Sequence, residues 1–388
     1  MKAKSIAVQN VDPYKAGIEL GDQLKSIQPE IVITFPAVEF APFDTFIEGL
    51  KDGLQNDRTI IVGGTGDGFY ETNMVGEIGA SALAINSNGK IKYHTLMVPI
   101  NFDNAESQAS AAMLELQSRM VEDKNKLILC FSDYRTNGSD LATGLQCSDS
   151  IPVVGGFLGN SKTEVECYSL YKGEVYQNQA IFIAMEGDFD FSITTGSGWK
   201  SIGQPGVVTL SHNHILEEID GISATSFIEK QTGMKSSEIL ERGNISIEVF
   251  SSTNGNGEDH CMRAIESIDS ETGSLNLFGG VKNGDRIKIA MGDIDSISKE
   301  VSTIARKSYE KIKSPQASLV ISCACRKWLL GEQITEEVDN IFKEFREGFP
   351  MVGFPSFGEF APINDESNKL INSFHNVTFV LLSLSERL

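Results

Sequence analysis

The residues best suited to chemistry lie near the C-terminal end of the sequence. Glu359 stands in Gly353–Pro362 (GFPSFGEFAP), a single carboxylate among glycine, proline and aromatic residues. Burying such a carboxylate without a partner costs several kcal/mol, so we expect a partner for it: a basic side chain, backbone N–H groups or a ligand ammonium. Arg326 is the basic residue that we associate with this region, because a guanidinium holds a carboxylate bidentately. Either the two residues bridge each other, or they receive the ammonium and the carboxylate of a ligand.

A small-molecule site is mostly apolar, with a few convergent polar groups. The same region offers this composition, since glycines allow close approach of the backbone, aromatic rings form walls and Ser322 adds a hydroxyl. The glycine pair Gly155–Gly156 from the N-terminal half either faces the same pocket or only shapes a turn. We therefore predict the following ligand-binding residues: Arg326, Ser322, Gly353, Phe357, Glu359, Gly155 and Gly156.

Cys323 supports a different chemical hypothesis. With His375 as its base, this thiol would make the protein a Cys-dependent acyl or amide hydrolase, which requires the two side chains within hydrogen-bond reach. The structural alternative is a buried, inert thiol. We assign no catalytic residue, and we order the hypotheses as ligand sensor, then interaction scaffold without a ligand, then hydrolase.

The sequence predicts neither a metal site nor a cofactor. His212 and His214 would share one face of a strand, but no further ligands accompany them. The turn Gly63–Gly68 (GGTGDG) lacks the Lys-Ser/Thr pair of a phosphate-binding P-loop. It is either a backbone nest for an anion or a tight turn that needs positive φ.

The elements that carry these residues recur along the chain. In each copy a short apolar run precedes a helical stretch, a VGG or VGF string and two strand-like runs. The three apolar runs are Ile31–Phe35, Leu127–Phe131 and Ser318–Cys323. This order predicts an α/β fold with α+β mixed sheets, built of repeated strand–helix–strand–hairpin units.

The length of 388 residues fits two or three domains. We expect two, with a boundary near Asp220 that follows a glycine-rich passage. Residues 1–27 would form an N-terminal lead-in, residues 28–220 a domain with two repeats, and residues 221–388 a domain with the third repeat-like unit.

The charge balance argues against several partners. The chain has 33 basic and 53 acidic residues, a formal net charge of −20, and such a surface repels nucleic acid and anionic lipid. Met1–Asn10 has no apolar segment typical of a signal peptide, and no apolar run reaches the length of a membrane helix. We expect a cytoplasmic protein with reduced cysteines and no membrane insertion.

Several strings, in their order and spacing, resemble the FIST family, a bacterial and archaeal sensory module with N-terminal and C-terminal halves. They are Val153–Gly156, Gly198–Trp199, Ser322–Arg326, Gly353–Pro362 and Phe374–Asn376. The resemblance extends from about residue 28 onward, and the turn Gly63–Gly68 departs from it.

The resemblance implies detection of a small ligand, an amino acid or a derivative, and implies no known reaction. Proteins of this family accompany chemotaxis receptors, kinases or cyclic-nucleotide enzymes. Because the sequence contains no recognisable kinase or receptor segment, we expect signalling through a separate partner, a kinase or a chemotaxis protein.

Overall fold

The computed structural model describes residues 1–121, 124–147, 151–159, 166–250, 260–346, 348–364 and 369–387. Three similar units of mixed helix and sheet, which we call the repeat body, pack together, and a barrel is inserted into the third unit. The predicted α/β class with mixed sheets and repeated units is confirmed.

The first unit starts at the N-terminus, so residues 1–27 are an integral part of the fold. Lys2–Val8 pairs antiparallel with Asn86–Ala80, which places it at the edge of the first sheet. The following helix starts with Asp12 as N-cap and Pro13 in its first turn, a favourable combination. The unit contains β1 (Lys2–Val8), α1 (Pro13–Leu24), β2 (Ile31–Pro36), α2 (Phe43–Leu54), β3 (Ile60–Gly64), β4 (Phe69–Glu71), β5 (Met74–Gly76) and β6 (Ala80–Asn86).

The second unit repeats this order of strands and helices. Its long helix buries Ala109, Ala112, Met113 and Leu116 on one face, in agreement with the helical periodicity of the sequence. The unit contains β7 (Ile91–Pro99), α3 (Ala105–Arg119), β8 (Asn125–Asp133), α4 (Gly138–Gly144), β9 (Val153–Leu158), β10 (Ser169–Tyr171), β11 (Glu174–Tyr176) and β12 (Gln179–Gly187).

The third unit begins with β13 (Phe189–Gly196) and is then interrupted by the barrel. The inserted elements are β14 (Lys200–His212), β15 (Ile215–Ile219), β16 (Ile222–Ser223), α5 (Ala224–Thr232), α6 (Ser236–Arg242), β17 (Ile245–Phe250), β18 (His260–Ile268), β19 (Leu275–Leu277) and β20 (Arg286–Met291). Because β14 pairs with both β20 and β15, the sheet closes on itself. The expected boundary near Asp220 falls in the β15–β16 hairpin of this barrel.

After the barrel the chain returns to complete the third unit. Its elements are α7 (Ile294–Lys311), β21 (Ala317–Cys323), α8 (Ala324–Leu330), α9 (Thr335–Phe345), β22 (Met351–Ser356), β23 (Glu359–Asn364), β24 (Leu370–His375) and β25 (Phe379–Glu386). The sheets therefore divide the chain into a body and an insertion, whereas the expected domains divide it sequentially at residue 220.

The three sheets of the repeat body have one strand order. They read β1-β6-β2-β3-β10-β11, β7-β12-β8-β9-β23-β24 and β13-β25-β21-β22-β4-β5. The three apolar runs of the sequence analysis thus occupy equivalent positions, each beside a parallel strand. Each sheet also ends in the hairpin of another unit, so the units are tied together by exchanged hairpins.

The glycine strings are explained by a close approach within these parallel pairs. Gly63, Gly155 and Gly353 lie opposite residues of the neighbouring parallel strand. A Cβ at these glycines would lie 1.9, 1.8 and 2.0 Å from a carbonyl oxygen of the neighbouring strand. The glycine therefore recurs for one steric reason: only a residue without a Cβ fits against the carbonyl oxygen of the neighbouring strand.

Aromatic rings from all three units meet at the centre of the repeat body. The ring centroid of Phe35 lies 5.4 Å from that of Phe131 and 4.6 Å from that of Phe354. Phe131 and Phe354 lie 5.9 Å apart, and all three side chains are buried. Contacts of this geometry add about 0.5–1.5 kcal/mol per pair to the burial of apolar area.

We predict that Gly155→Ala destabilises the protein by about 3 kcal/mol, because the added methyl would overlap the Cys130 carbonyl. Gly348→Ala is the matched control, since a Cβ there meets no atom within 4 Å. Urea unfolding of both variants measures the difference. Equal stabilities would show that the close approach at Gly155 does not constrain the residue type.

Candidate functional site

The short helix α8 is the element on which the candidate site is built. It follows the core strand β21 directly and ends at Gly331, whose φ is +53°. The side chains of α8 point in three directions, because successive residues of a helix are rotated by about 100°. Arg326 points into the core, Cys325 and Leu329 line a large cavity, and Lys327 contacts the loop after β3.

Arg326 is completely buried, and its guanidinium is fixed from three sides. Nε donates to Oε1 of Glu337 at 2.8 Å, and Nη2 donates to the Ile297 carbonyl at 3.2 Å. Nη1 donates to the Ser197 carbonyl. The guanidinium carbon also lies 5.4 Å from the ring centroid of Phe379. The group is therefore engaged within the protein and lines none of the three cavities described below.

Glu337 on α9 is the buried partner of Arg326 and forms a polar cluster with it. Its Oε2 accepts from the Tyr70 hydroxyl at 2.6 Å and from the Ser322 hydroxyl at 3.0 Å. Burial and the Glu337 charge raise the pKa of Tyr70 well above its usual value, so the phenol stays a donor. An ion pair between Arg326 and Glu359 is one of the alternatives that the sequence leaves open. In the structure Arg326 pairs with Glu337 instead.

Glu359 lies apart from that ion pair in a buried setting of its own. Its Oε2 accepts from the Thr378 N–H at 3.2 Å. Burial, and then the neighbouring Cys323, raise the pKa of Glu359 well above its usual value. Burial therefore favours the neutral carboxylic acid over the carboxylate, which avoids the cost of burying a charge.

Cys323 is buried at the junction of β21 and α8. Burial and a hydrogen bond with the Cys325 thiol raise its pKa well above the usual value. A nucleophilic cysteine needs the opposite shift, toward thiolate. His375 directs Nε2 toward the Ala361 carbonyl at 3.3 Å. The surroundings of Cys323 thus oppose the activation that the hydrolase hypothesis requires.

The remaining predicted residues are structural neighbours of this region. Gly156 lies opposite Glu359, and Gly155 opposite Phe360, where the exchanged hairpin joins the second sheet. Gly353 pairs with Tyr70. Phe357 packs 5.9 Å from the ring of Trp328 on α8. The structure thus gathers the seven predicted residues into two adjoining buried groups, one around Glu337 and one around Glu359.

The largest of the three cavities, about 760 Å³, lies beside these groups between α8 and the barrel. We call it the α8 cleft. Its lining residues are His214, Ile239, Leu240, Gly243, Ile245, Ala264, Ile265, Glu266, Ser267, Asn276, Phe278, Cys325, Trp328, Leu329 and Val377. None of the seven predicted residues is among them or lines the two smaller cavities, of about 670 and 400 Å³.

The α8 cleft has apolar walls and few polar groups. Trp328 and Phe278 supply aromatic faces. Among the lining residues whose side chains the structure describes, Glu266 is the only acidic one and none is lysine or arginine. Trp328 is 51% exposed, and its indole N–H donates to Asp67 at 2.9 Å, which fixes the ring at the rim. Val377 lines the cleft at φ +50°, an outlier for a β-branched residue.

Sequence reasoning missed the residues that form this cleft. Cys325, Trp328 and Leu329 fall at i, i+3 and i+4 on α8, a spacing that marks one helix face. That signal was available but lies within a seven-residue helix. The partners from the barrel come from more than forty residues away, and no local pattern indicates that they meet α8.

We predict that Arg326→Met destabilises the protein by about 3–5 kcal/mol, because it leaves Glu337 charged and buried without its partner. The double variant Arg326→Met/Glu337→Leu should recover most of this loss. Arg306→Met, an exposed change on α7, is the control. Chemical unfolding measures all three, and an additive double variant would contradict the coupling.

We predict an unusual pH dependence from Glu359. Its pKa is raised in the folded state, so its contribution to stability is complete below the unfolded pKa and is lost as pH rises toward the folded pKa. This group should therefore lower the free energy of unfolding as pH rises above its unfolded pKa. Glu359→Gln should remove that slope. Parallel pH profiles for the two proteins would show that the carboxyl is ionised in the fold.

Comparisons with known proteins place the chain in a family. The FIST N domain matches residues 30–222, and the FIST C domain matches residues 218–362. An uncharacterized protein of Methanocaldococcus jannaschii, MJ1623, is 22% identical over 218 residues, which are 54% of this chain and 42% of that protein. This chain therefore spans less than half the length of that relative.

Two solved structures of Thermotoga maritima proteins show a weak similarity to the chain. PurLQS has a TM-score of 0.22, and PurL complexed with ADP a TM-score of 0.23; each is 8% identical, with coverage of 100% of this chain and 72% of the other. Similarity at this level does not show a shared fold or function. Among the described residues, no helix is long and apolar enough to cross a membrane. The two domain matches together cover most of the sequence, and the chain belongs to the FIST family of sensory domains.

Proposed function

We propose that this protein is a cytoplasmic sensor that binds a small ligand, an amino acid or an amine derived from one, in the α8 cleft. The observation that supports this most directly is the composition of the cleft. Two aromatic side chains and one carboxylate, Glu266, face the cavity, and no lysine or arginine lines it among the described side chains. A ligand ammonium is attracted by a carboxylate and by the faces of aromatic rings.

The other end of an amino acid also finds suitable groups in the cleft. His214 and Asn276 line it and carry N–H groups that can donate to a ligand carboxylate. Asn276 is already oriented, since its amide donates to the Ser267 hydroxyl at 2.7 Å. The cavity of about 760 Å³ lies within the range of small-molecule sites.

The seven residues predicted from the sequence have a supporting role in this proposal. Arg326 holds α8 from behind, while Cys325 and Trp328 of the same helix face the ligand. Ser322, Gly353, Phe357, Glu359, Gly155 and Gly156 shape the buried layer next to that helix.

Signal transfer to a separate partner, a kinase or a chemotaxis protein, would start from the outer side of α8. Lys327 donates to the Asp67 side chain at 3.0 Å, and Trp328 donates to its second oxygen. A ligand that moves α8 therefore also moves the loop that carries Asp67. This loop and Trp328 border a further cavity on the surface, where a partner would detect the change.

We expect a thermal-shift screen of amino acids and primary amines to yield a stabilising ligand. At one hundred times its dissociation constant, such a ligand adds about 2.7 kcal/mol. Glu266→Gln should weaken the binding of that ligand at least tenfold, because it removes the charge and keeps the shape. Glu271→Gln, on the β18–β19 turn outside the cleft, is the control. A ligand that binds both variants equally would not use Glu266, and the assignment to the α8 cleft would fail.

A further inference from the structure

A second cavity, of about 670 Å³, is lined by residues of α7, of β14 and of the turn before β25. We call it the α7 cleft; it is enclosed by Lys299, Thr303 and Lys307 of α7, Lys200 of β14, and His375 and Thr378 at its base. It shares no lining residue with the α8 cleft. It is therefore a separate place on the molecule.

The charge of the α7 cleft differs from that of the whole chain. Three lysines and two glutamates line it, in a protein with a formal net charge of −20. Among the described residues, neither Lys299 nor Lys307 has a carboxylate within 4 Å, whereas Lys200 lies 4.0 Å from Asp293. Two ammonium groups thus face the cavity without a carboxylate partner in the described part of the chain.

Lys299 and Lys307 both line the cavity from α7. Lys299, Thr303 and Lys307 stand at i, i+4 and i+8, which places them along one face of α7. The two lysines are about 12 Å apart along the helix axis, with Thr303 midway between them. Each side chain is long enough to bend toward Thr303, so both ammonium groups can meet a single compact anion there.

The two glutamates that line the cleft have contacts of their own. Glu248 accepts from the Ser201 hydroxyl. A Cβ on Gly196 would lie 2.3 Å from Oε1 of Glu300, so this carboxylate packs against the end of β13. The hydroxyls of Ser197 and Thr303 add neutral polar groups around the lysines.

The walls of the α7 cleft are held in place by buried bonds. Arg326 donates to the Ser197 carbonyl on one wall and to the Ile297 carbonyl on α7, which forms the other. Thr378 at the base is fixed by its N–H bond to Glu359. A cavity whose two sides share one buried guanidinium keeps its shape without a ligand, and such preorganisation favours binding.

We propose that the α7 cleft is a binding site for a compact small-molecule anion with at least two negative charges, a phosphate or a polycarboxylate. Nucleic acid does not fit this site, because the −20 charge of the chain repels an extended polyanion. Support for this site does not depend on the amine ligand proposed for the α8 cleft.

Calorimetric titration of the full chain with inorganic phosphate and with citrate, at ionic strength held constant with sodium chloride, tests the proposal. We expect at least one of the two to bind, and the preferred one identifies the class. Lys299→Gln/Lys307→Gln should weaken that binding at least tenfold. Arg306→Gln/Lys311→Gln, with the same loss of charge on the same helix but outside the cleft, should change it less than twofold.

Two results would overturn the proposal. One is an absence of binding of both anions by the parent protein at millimolar concentration. The other is an equal loss of affinity in the two double variants, which would mean that only the overall charge of α7 matters. Thermal unfolding of each variant checks that the fold is retained, which is expected because Lys299 and Lys307 are exposed.

Discussion

The buried ion pair between Arg326 and Glu337 is the constraint on which both clefts depend. Removing two charges from water costs several kcal/mol per ion, and the pair is tolerated only when its other hydrogen-bonding positions are filled. Here a hydroxyl of the first unit, from Tyr70, and carbonyls at Ser197 and Ile297 fill them. Satisfying these charges therefore fixes α8 against α7, against the start of the barrel insertion and against a hairpin of another unit.

That hairpin belongs to the exchange that joins the three units. Each sheet of the repeat body ends in a hairpin from a different unit, so no unit completes its own sheet. Tyr70 reaches Glu337 only because β4 pairs with β22. The N-terminal and C-terminal family domains are consequently adjacent in sequence but interleaved in space. A substitution at such a contact should therefore change the packing of both halves.

The repeat could be predicted because its signals are local. An apolar run followed by a glycine string is visible within forty residues, and Gly63, Gly155 and Gly353 meet the same steric demand in the three copies. The partner of Arg326 could not be predicted in this way. Glu337 lies eleven residues away on another helix, and its other partners come from distant elements. Of the three partners expected for Glu359, the structure provides a backbone N–H, that of Thr378. Burial and the neighbouring Cys323 favour the neutral acid, which the local sequence does not indicate.

The turn between β24 and β25 gives the two clefts a common wall. Val377 lines the α8 cleft, while His375 and Thr378 line the α7 cleft. Asn376, between them, accepts from the N–H of Ala264 in the barrel at 3.3 Å. A shift of this turn that relaxes the φ of +50° at Val377 would change both cavities and the barrel contact together. If each cleft binds a ligand, their affinities are then coupled, and the coupling is the same in both directions.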